Sequence, residues 1–359
     1  MFHIVSCCDE NYIKYLSVLL TSIVKNTDTS KCLIDYIGEN RKSYVFHILS
    51  DAISQETQDK IHDLQKELTK IYPCEILVHF VDESIFHGMP KWGFEATKNY
   101  SAYYRLALCR FIPADVVKCL YIDVDMLVMC DIRELFAIDL GECLAGVNSG
   151  HNFKDSRTNW ILKAVDKHGS DFDLSSLPYY FCSGLMLLNM PLYRANNIES
   201  KCIEFLKTYK PICADQDALN VVLSGKIKIL PAEYGVLTHF FCDFDQRKNK
   251  EQMEAFKQLI PLTKIAHVNG CTKPWFSPSQ NIKSHDKKIV LFHPHYDSWW
   301  EIALQTPAFK EELACIKQTH RDYISIILAF IYHGCMKFFL ILPKTMQESI
   351  KHVVRKARK

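Results

Sequence analysis

The sequence lacks the features of several large protein classes. Its 359 residues carry a formal net charge of only +2, so they offer no basic excess for a nucleic acid, and we expect no nucleic-acid partner. The fifteen cysteines are an odd number and contain no C-x-x-C pair, which argues against a disulfide framework or zinc ribbon and indicates free thiols. The N-terminus has no basic segment followed by an apolar segment and a cleavage site. We therefore expect no signal peptide and a cytoplasmic location.

The composition of the sequence is that of a folded protein, and its pattern indicates alternating strands and helices. Hydrophobic residues make up 48% and charged residues 23%, as in globular domains. Residues 2–8, 44–49 and 75–81 have the apolar character of buried strands, and helical spacing of apolar residues follows the first two. This alternation predicts an α/β fold with a mainly parallel central sheet and flanking helices.

Acidic residues follow several of the predicted strands, where ligands bind in open α/β sheets. The most informative is Asp123-Val124-Asp125, which follows a long apolar run. Alternate residues of an extended backbone point to the same side, so the two carboxylates can converge on one hard cation. Without further context, such a pair is more often two solvated turn acids than a metal site.

The context is a series of short segments in a fixed order. From the N-terminus they are Asp9-Glu10-Asn11-Tyr12, Tyr104-Arg105, Asp123-Val124-Asp125, Phe181-Cys182-Ser183-Gly184, Asp215-Gln216-Asp217 and His267-Val268-Asn269-Gly270-Cys271-Thr272-Lys273-Pro274-Trp275. Together they resemble glycosyltransferase family 8, over about residues 2–275. The resemblance implies the GT-A fold and a retaining, metal-dependent transfer of a hexose, galactose or glucose, from a UDP-sugar to a glycan.

By this resemblance, Asp123 and Asp125 bind the metal and His267 is its third protein ligand. For His267 considered alone, a surface or core histidine would be the default interpretation. An imidazole ligand suits Mn²⁺ better than Mg²⁺, which prefers oxygen. The expected ion is therefore Mn²⁺, with Mg²⁺ as the alternative.

The resemblance also implies a set of residues that bind the donor nucleotide. Gly270 would let the backbone approach the ligand, and Lys273 would place a positive charge on the departing diphosphate, although a solvated lysine is its ordinary role. Tyr12 would stack on the base or, equally, begin the core-facing side of the next helix. The whole set is Cys7, Asp9, Asn11, Tyr12, Asp123, Val124, Gly270 and Lys273.

Three further residues are expected to act on the donor sugar. Arg105 would approach the sugar and phosphates and offset negative charge. Asp215 would bind sugar hydroxyls, although helix capping is a serious alternative for it. Gln216 would lie on the sugar face opposite the leaving diphosphate. Two retaining routes stay open, a covalent adduct and attack from the leaving-group side.

Two departures from the family pattern leave the donor sugar open. Cys182 stands where the family has asparagine, and Asn148-Ser149 stands where an aspartate is expected. Cys182 suggests one alternative, a catalytically impaired, membrane-associated sugar-nucleotide binder. A second alternative is a haloacid-dehalogenase-like phosphatase. Leu127 and the lack of an Asp-Asp pair argue against it.

The C-terminal region differs from the rest of the chain. Residues 324–342 form an apolar stretch, and from Lys337 to Lys359 the net charge is +6. We interpret this as an amphipathic tail on the anionic cytoplasmic leaflet, the alternative being a tail that packs on the domain or pairs with a second subunit. We predict a catalytic domain at 1–280, a helical extension at 281–320 and a membrane-associated tail at 321–359. A membrane location suits a glycolipid acceptor, which we expect to be a lipopolysaccharide core.

Overall fold

The structure, a computed structural model, describes residues 1–31, 43–91, 99–148, 160–237, 250–269, 273–276, 294–319 and 346–348. Its strands are β1 Phe2–Cys7, β2 Tyr44–Ser50, β3 Cys74–Phe80, β4 Lys118–Ile122, β5 Met126–Val128, β6 Ala145–Val147, β7 Ile161–Ala164, β8 Phe172–Asp173, β9 Leu185–Asn189, β10 Tyr209–Lys210, β11 Ile227–Ile229, β12 Tyr234–Leu237 and β13 Ile265–His267. Its helices are α1 Ile13–Lys25, α2 Gln55–Thr69, α3 Arg133–Phe136, α4 Met190–Ala195, α5 Ile198–Thr208, α6 Ala214–Val222, α7 Lys250–Leu259, α8 Tyr296–Ala303 and α9 Lys310–Thr319. A 3₁₀ segment spans Ser101–Arg110.

A seven-stranded sheet in the order β11-β6-β9-β4-β1-β2-β3 forms the centre of the molecule. Neighbouring strands are parallel except for β9, which is antiparallel to both β4 and β6. The carboxyl ends of β1, β4 and β6 therefore share one edge with the beginning of β9. The prediction of a mainly parallel α/β sheet with flanking helices is confirmed.

Both faces of the sheet are buried, which is why its strands are continuous apolar runs. In β4, Leu120 and Ile122 pack into the core beneath α1 and α2, whereas Cys119 and Tyr121 point into the core on the opposite face. Helix α1 follows β1 after a short 3₁₀ segment, Glu10–Tyr12, and buries Leu16, among others, in the first of these cores. This short connection keeps the residues after β1 near the edge of the sheet.

A smaller sheet in the order β12-β13-β5 extends this edge. Strand β5 pairs antiparallel with β13, and His267 lies opposite Met126. Because Met126 follows the turn 123–125 directly, this pairing fixes a late part of the chain beside the end of β4.

The C-terminal helices α8 and α9 pack on the same body. Trp299 and Trp300 of α8 are fully buried and join a core with α1. Tyr15 of α1 stacks on Trp275, with ring centroids 4.3 Å apart, and Trp299 lies 5.1 Å from Trp275. Trp275 is thus a packing residue.

Among the described residues, no helix is both long and apolar enough to cross a membrane. The apolar stretch 324–342 and the basic end at 351–359 lie outside the residues that the structure describes. The division into three regions therefore stays a prediction.

Three histidines form an unexpected ladder across β1, β2 and β3. His3 Nδ1 lies 3.0 Å from His47 Nε2, and His47 Nδ1 lies 2.9 Å from His79 Nε2. Burial, helped by the neighbouring imidazoles of His3 and His79, lowers the pKa of His47 from 6.5 to about 3. His47 therefore stays neutral in the folded protein under conditions that protonate it in the unfolded chain.

We expect His47→Gln to flatten the dependence of stability on pH. Because the folded-state pKa is lowered, the stabilisation by neutral His47 is present above pH 6.5 and is lost as pH falls toward about 3. Over that window the wild type should lose up to about 1.4 kcal/mol of unfolding free energy per pH unit through this group. Urea unfolding between pH 4 and 7 measures the slope. Exposed His62→Gln is the control, and equal slopes for the two variants would contradict the prediction.

Candidate active site

The turn after β4 is held in place by neighbouring strands. The Asp123 amide donates to the carbonyl of Gly184 at 2.8 Å, just before β9. The Val268 amide donates to the carbonyl of Asp125 at 2.8 Å, just after β13. Tyr121 donates its hydroxyl to Asp123 Oδ1 at 2.7 Å. The backbone on both sides of Val124 is thus fixed, and both carboxylates are presented at the sheet edge.

The structure brings Asp123, Asp125 and His267 together. One ligand atom from each residue lies within 4.8 Å of the others. His267 Nε2 is 3.1 Å from Asp125 Oδ1 and 3.8 Å from Asp123 Oδ2. Two carboxylate oxygens and one imidazole nitrogen form a donor set that fits a divalent ion such as Mn²⁺.

Gly184 is required by the close packing of this cluster. A Cβ atom at this position would lie 2.7 Å from Asp123 Oδ2 and 2.7 Å from His267 Cε1, closer than real contacts allow. Any side chain would push apart two of the three ligands. The glycine of the Phe-Cys-Ser-Gly segment was visible in the sequence, but its role depends on the β4–β9 pairing.

Positive charge lies against Asp125. Lys273 Nζ contacts Asp125 Oδ2, and its ammonium also lies 5.6 Å from the Trp275 ring. Burial alone would raise the pKa of Asp125, but Lys273 and His267 outweigh it and lower that pKa well below its usual value. Burial disfavours a charged imidazole, yet Asp125 and Cys182 raise the pKa of His267 to about 10. The ion pairs of Asp125 with Lys273 and His267 thus stabilise the charged forms of these side chains against the cost of burial.

Arg105 joins the cluster to the start of α6. Its guanidinium lies 3.0 Å from Asp123 Oδ1 and 3.2 Å from Asp215 Oδ2, and it stacks 4.5 Å from the Tyr121 ring. It also donates to the Ser183 carbonyl at 3.0 Å. Burial opposes the charge of Arg105, but Asp123 and Asp215 raise its pKa. Arg105 is therefore a buried cation between two carboxylates.

The first turn of α6 supplies Asp215 and Gln216. Helix capping does not explain Asp215, since the helix begins after Cys213 and Asp215 lies within its first turn. Ser183 donates its hydroxyl to Asp215 Oδ2 at 3.0 Å and its amide to Gln216 Oε1 at 3.1 Å. Burial raises the pKa of Asp215 to about 6, with Arg105 opposing this shift.

Cys182 contacts the metal-ligand candidate His267. Its Sγ lies 3.6 Å from His267 Nδ1, the nitrogen that faces away from the two aspartates. A histidine that binds a metal usually has a hydrogen-bond partner on its second nitrogen, which fixes the ring orientation. In this chain a thiol takes that place.

The residues expected around the nucleotide base are more dispersed. Cys7 is half-buried beside Tyr121 and Arg105, and burial raises the pKa of its thiol to about 12. Asp9 accepts from the Tyr12 amide at 3.2 Å, and Tyr12 packs edge-on against Trp275. Asn11 is exposed and lines a cavity of about 240 Å³ with Glu10 and others. Gly270 lies outside the described residues.

The site also contains residues that the sequence did not indicate. Tyr121 donates to Asp123 and stacks on Arg105, and Ser183 connects Arg105, Asp215 and Gln216. Ser183 belonged to a recognised segment and could have been singled out there. The sequence did not point to a functional role for Tyr121, because a tyrosine in a buried strand is an ordinary core residue.

Comparison with known proteins identifies the family of the chain. The sequence matches Glycosyl transferase family 8 over residues 3–278. It is 25% identical over 283 residues to the lipopolysaccharide 1,3-galactosyltransferase of Salmonella typhimurium, covering 77% of this chain and 73% of that protein. It is 25% identical over 318 residues to a lipopolysaccharide 1,2-glucosyltransferase of Escherichia coli, covering 83% of this chain and 84% of that protein.

Among solved structures, the galactosyltransferase LgtC with donor and acceptor sugar analogues superposes with a TM-score of 0.60 at 20% identity. The match covers 85% of this chain and 96% of LgtC. This likeness establishes the GT-A fold, as the sequence predicted, and the family match argues against the phosphatase alternative.

Proposed function

The chain belongs to glycosyltransferase family 8, and on that basis we propose that it is a retaining, metal-dependent hexosyltransferase that moves galactose or glucose from a UDP-sugar to a glycan. The observation that carries the proposal is the convergence of Asp123, Asp125 and His267 at the carboxyl end of β4. The acceptor we propose is a lipopolysaccharide or lipooligosaccharide core, by similarity to the two lipopolysaccharide transferases.

The proposed roles divide the site into two halves. Asp123, Asp125 and His267 would hold Mn²⁺, with Mg²⁺ as the alternative ion. When bound, the ion supplies positive charge to the diphosphate as it leaves. Lys273 would contact the same diphosphate. Cys7, Asp9, Asn11, Tyr12, the backbone at Val124 and Gly270 would bind the rest of the nucleotide.

The other half would act on the hexose. Arg105 would approach the phosphates and sugar from its position between Asp123 and Asp215. Asp215 would accept from sugar hydroxyls, and Gln216 would stabilise positive charge at the anomeric carbon through its carbonyl oxygen. These assignments suit the geometry because Arg105 contacts both Asp123 and Asp215, whereas Lys273 contacts Asp125.

A direct test measures transfer from UDP-galactose and UDP-glucose, each with Mn²⁺, with Mg²⁺ and with EDTA. Truncated lipopolysaccharide cores serve as acceptors, and NMR of the product gives the anomeric configuration. The proposal requires metal-dependent transfer with retention. An inverted product would contradict the retaining course. UDP-sugar binding without turnover would favour the impaired binder that Cys182 suggests.

We expect Lys273→Ala to separate metal binding from nucleotide binding. Lys273 competes with a metal for Asp125, so its removal should leave Mn²⁺ affinity equal or higher. UDP affinity should fall by about 1.5–3 kcal/mol, the scale of a hydrogen bond to a charged group. Isothermal titration with Mn²⁺, then with UDP and Mn²⁺, gives both quantities. Lys264→Ala, which removes another lysine beside a carboxylate, is the control, and a parallel loss of both affinities would contradict the assignment.

We further propose that the protein acts at the cytoplasmic membrane surface. The support is the basic, apolar composition of residues 321–359 and the lipid-linked acceptor that the proposed function requires. The proposed catalytic domain at 1–280 and extension at 281–320 would then stay in the cytoplasm, where the UDP-sugar is made available.

A further inference from the structure

The Gln216 side chain is held at both ends by hydrogen bonds. Its Oε1 accepts from the Ser183 amide at 3.1 Å. Its Nε2 donates to the Tyr180 hydroxyl at 3.2 Å. Tyr180 precedes the Phe-Cys-Ser-Gly segment and is absent from the family motifs recognised in the sequence.

The chemistry of the two partners permits one orientation of the Gln216 amide. The Ser183 amide is a donor, so the atom facing it must be an acceptor, Oε1. Tyr180 gives its hydroxyl proton to the carboxylate of Asp217, which leaves its oxygen as an acceptor toward Gln216. If the Gln216 amide were rotated by half a turn, its NH₂ group would face the backbone N–H of Ser183, and two donors would oppose each other.

Asp217 anchors this arrangement. Its Oδ2 accepts from the backbone amides of Ile212 at 2.6 Å and Cys213 at 2.9 Å, so its Oδ1 remains for Tyr180. Burial of the phenol beside the Asp217 carboxylate raises the pKa of Tyr180, which keeps it protonated as a donor. The Tyr180 ring is packed edge-on against Trp160, with centroids 5.4 Å apart.

The backbone on either side is also fixed. Asn220 accepts from the Phe181 amide at 2.7 Å and donates to the Phe181 carbonyl at 2.9 Å. Segment 180–183 and helix α6 are therefore fastened together, and the position of Tyr180 relative to Gln216 is set by both. A rigid support of this kind is what a group acting in the transition state requires.

We propose that Tyr180, backed by Asp217, is a positioning residue that fixes the Gln216 amide with its carbonyl oxygen directed away from Tyr180. This inference rests on the proposed function, in which that oxygen stabilises the anomeric carbon. Tyr180 acts through Gln216, and its effect should appear in the chemical step.

The test is Tyr180→Phe, which removes the hydroxyl and keeps the ring. With the UDP-hexose that the wild type uses and a truncated lipopolysaccharide core, we expect kcat to fall at least about tenfold, because a misplacement of about 1 Å can cost about 100-fold in rate. The donor KM and the UDP dissociation constant should change less than about twofold. Tyr179→Phe makes the same chemical change one residue earlier and is the control. Thermal unfolding verifies that both variants fold.

A second measurement reports the hydrogen bond itself. The side-chain amide signals of Gln216, assigned by their loss in Gln216→Ala, should shift in Tyr180→Phe and stay in place in Tyr179→Phe. An unchanged Gln216 signal, or a donor KM that rises in proportion to the loss of kcat, would overturn the positioning role. A wild-type protein without turnover would overturn the proposed function, whereas an active wild type with an equally active Tyr180→Phe variant would overturn only this inference.

Discussion

Asp125→Asn should reduce metal-dependent sugar transfer by at least about 100-fold, because a ligand that supplies negative charge to the ion is replaced by a neutral amide. Asp125 faces both His267 and Lys273. His267→Ala should have a comparable effect, because it removes the nitrogen ligand. Titration with Mn²⁺, followed by electron paramagnetic resonance, should show loss of binding in both variants.

The fold should survive these substitutions. The turn is held by backbone hydrogen bonds from Asp123 and Val268 that no side-chain change removes. Asp51→Asn changes another acid at a strand end and is a matched control for charge. Circular dichroism compares the folded structure of each variant with that of the wild type. Near wild-type transfer in Asp125→Asn or His267→Ala would refute the metal assignment.

The second large effect is expected for Arg105→Met, which should impair stability as well as activity. The substitution leaves Asp123 and Asp215 facing each other without the buried cation that neutralises them. Breaking a buried ion pair by removing one partner costs about 3–5 kcal/mol. Urea unfolding measures this loss, and transfer should fall because the sugar-binding and metal-binding halves lose their common contact.

A double substitution distinguishes lost pairing from lost packing. Arg105→Met combined with Asp215→Asn removes one of the two carboxylates that Arg105→Met leaves unpaired, and should recover part of the lost unfolding free energy without restoring transfer. Arg110→Met, which breaks an exposed pair with Glu199, should cost far less, about 1 kcal/mol or below. A cost for Arg105→Met no greater than that of Arg110→Met would show that the buried pairing contributes nothing.

The sequence predicted the parts of this protein that depend on local pattern. The apolar runs located β1, β2, β3 and the strand before Asp123, because a strand buried on both faces shows continuous hydrophobicity. The order of motifs predicted the family and the GT-A fold. The predicted ends of the elements differ from the observed ends by about one residue. Strand β3, for example, spans Cys74–Phe80, whereas 75–81 was predicted.

Features that depend on pairing between distant strands were not predictable. The ladder of His3, His47 and His79 requires the register of three strands, and no local pattern specifies it. The steric demand at Gly184 depends on a histidine more than eighty residues later in the chain. The link from Tyr180 to Gln216 likewise exists only because α6 packs against the segment before β9.

The arrangement of charges in the centre has a thermodynamic consequence. The carboxylates of Asp123, Asp125 and Asp215 face three basic groups, those of Arg105, Lys273 and His267. These basic side chains offset much of the negative charge that would otherwise attract a dication. His267 must release a proton before it can bind a metal. The Lys273 ammonium, which now pairs with Asp125, needs another anion as a partner if the metal takes its place. The diphosphate of the nucleotide is such an anion. Metal and nucleotide should therefore be linked ligands, each raising the affinity of the other by the same factor, so that Mn²⁺ binds more tightly when UDP is present.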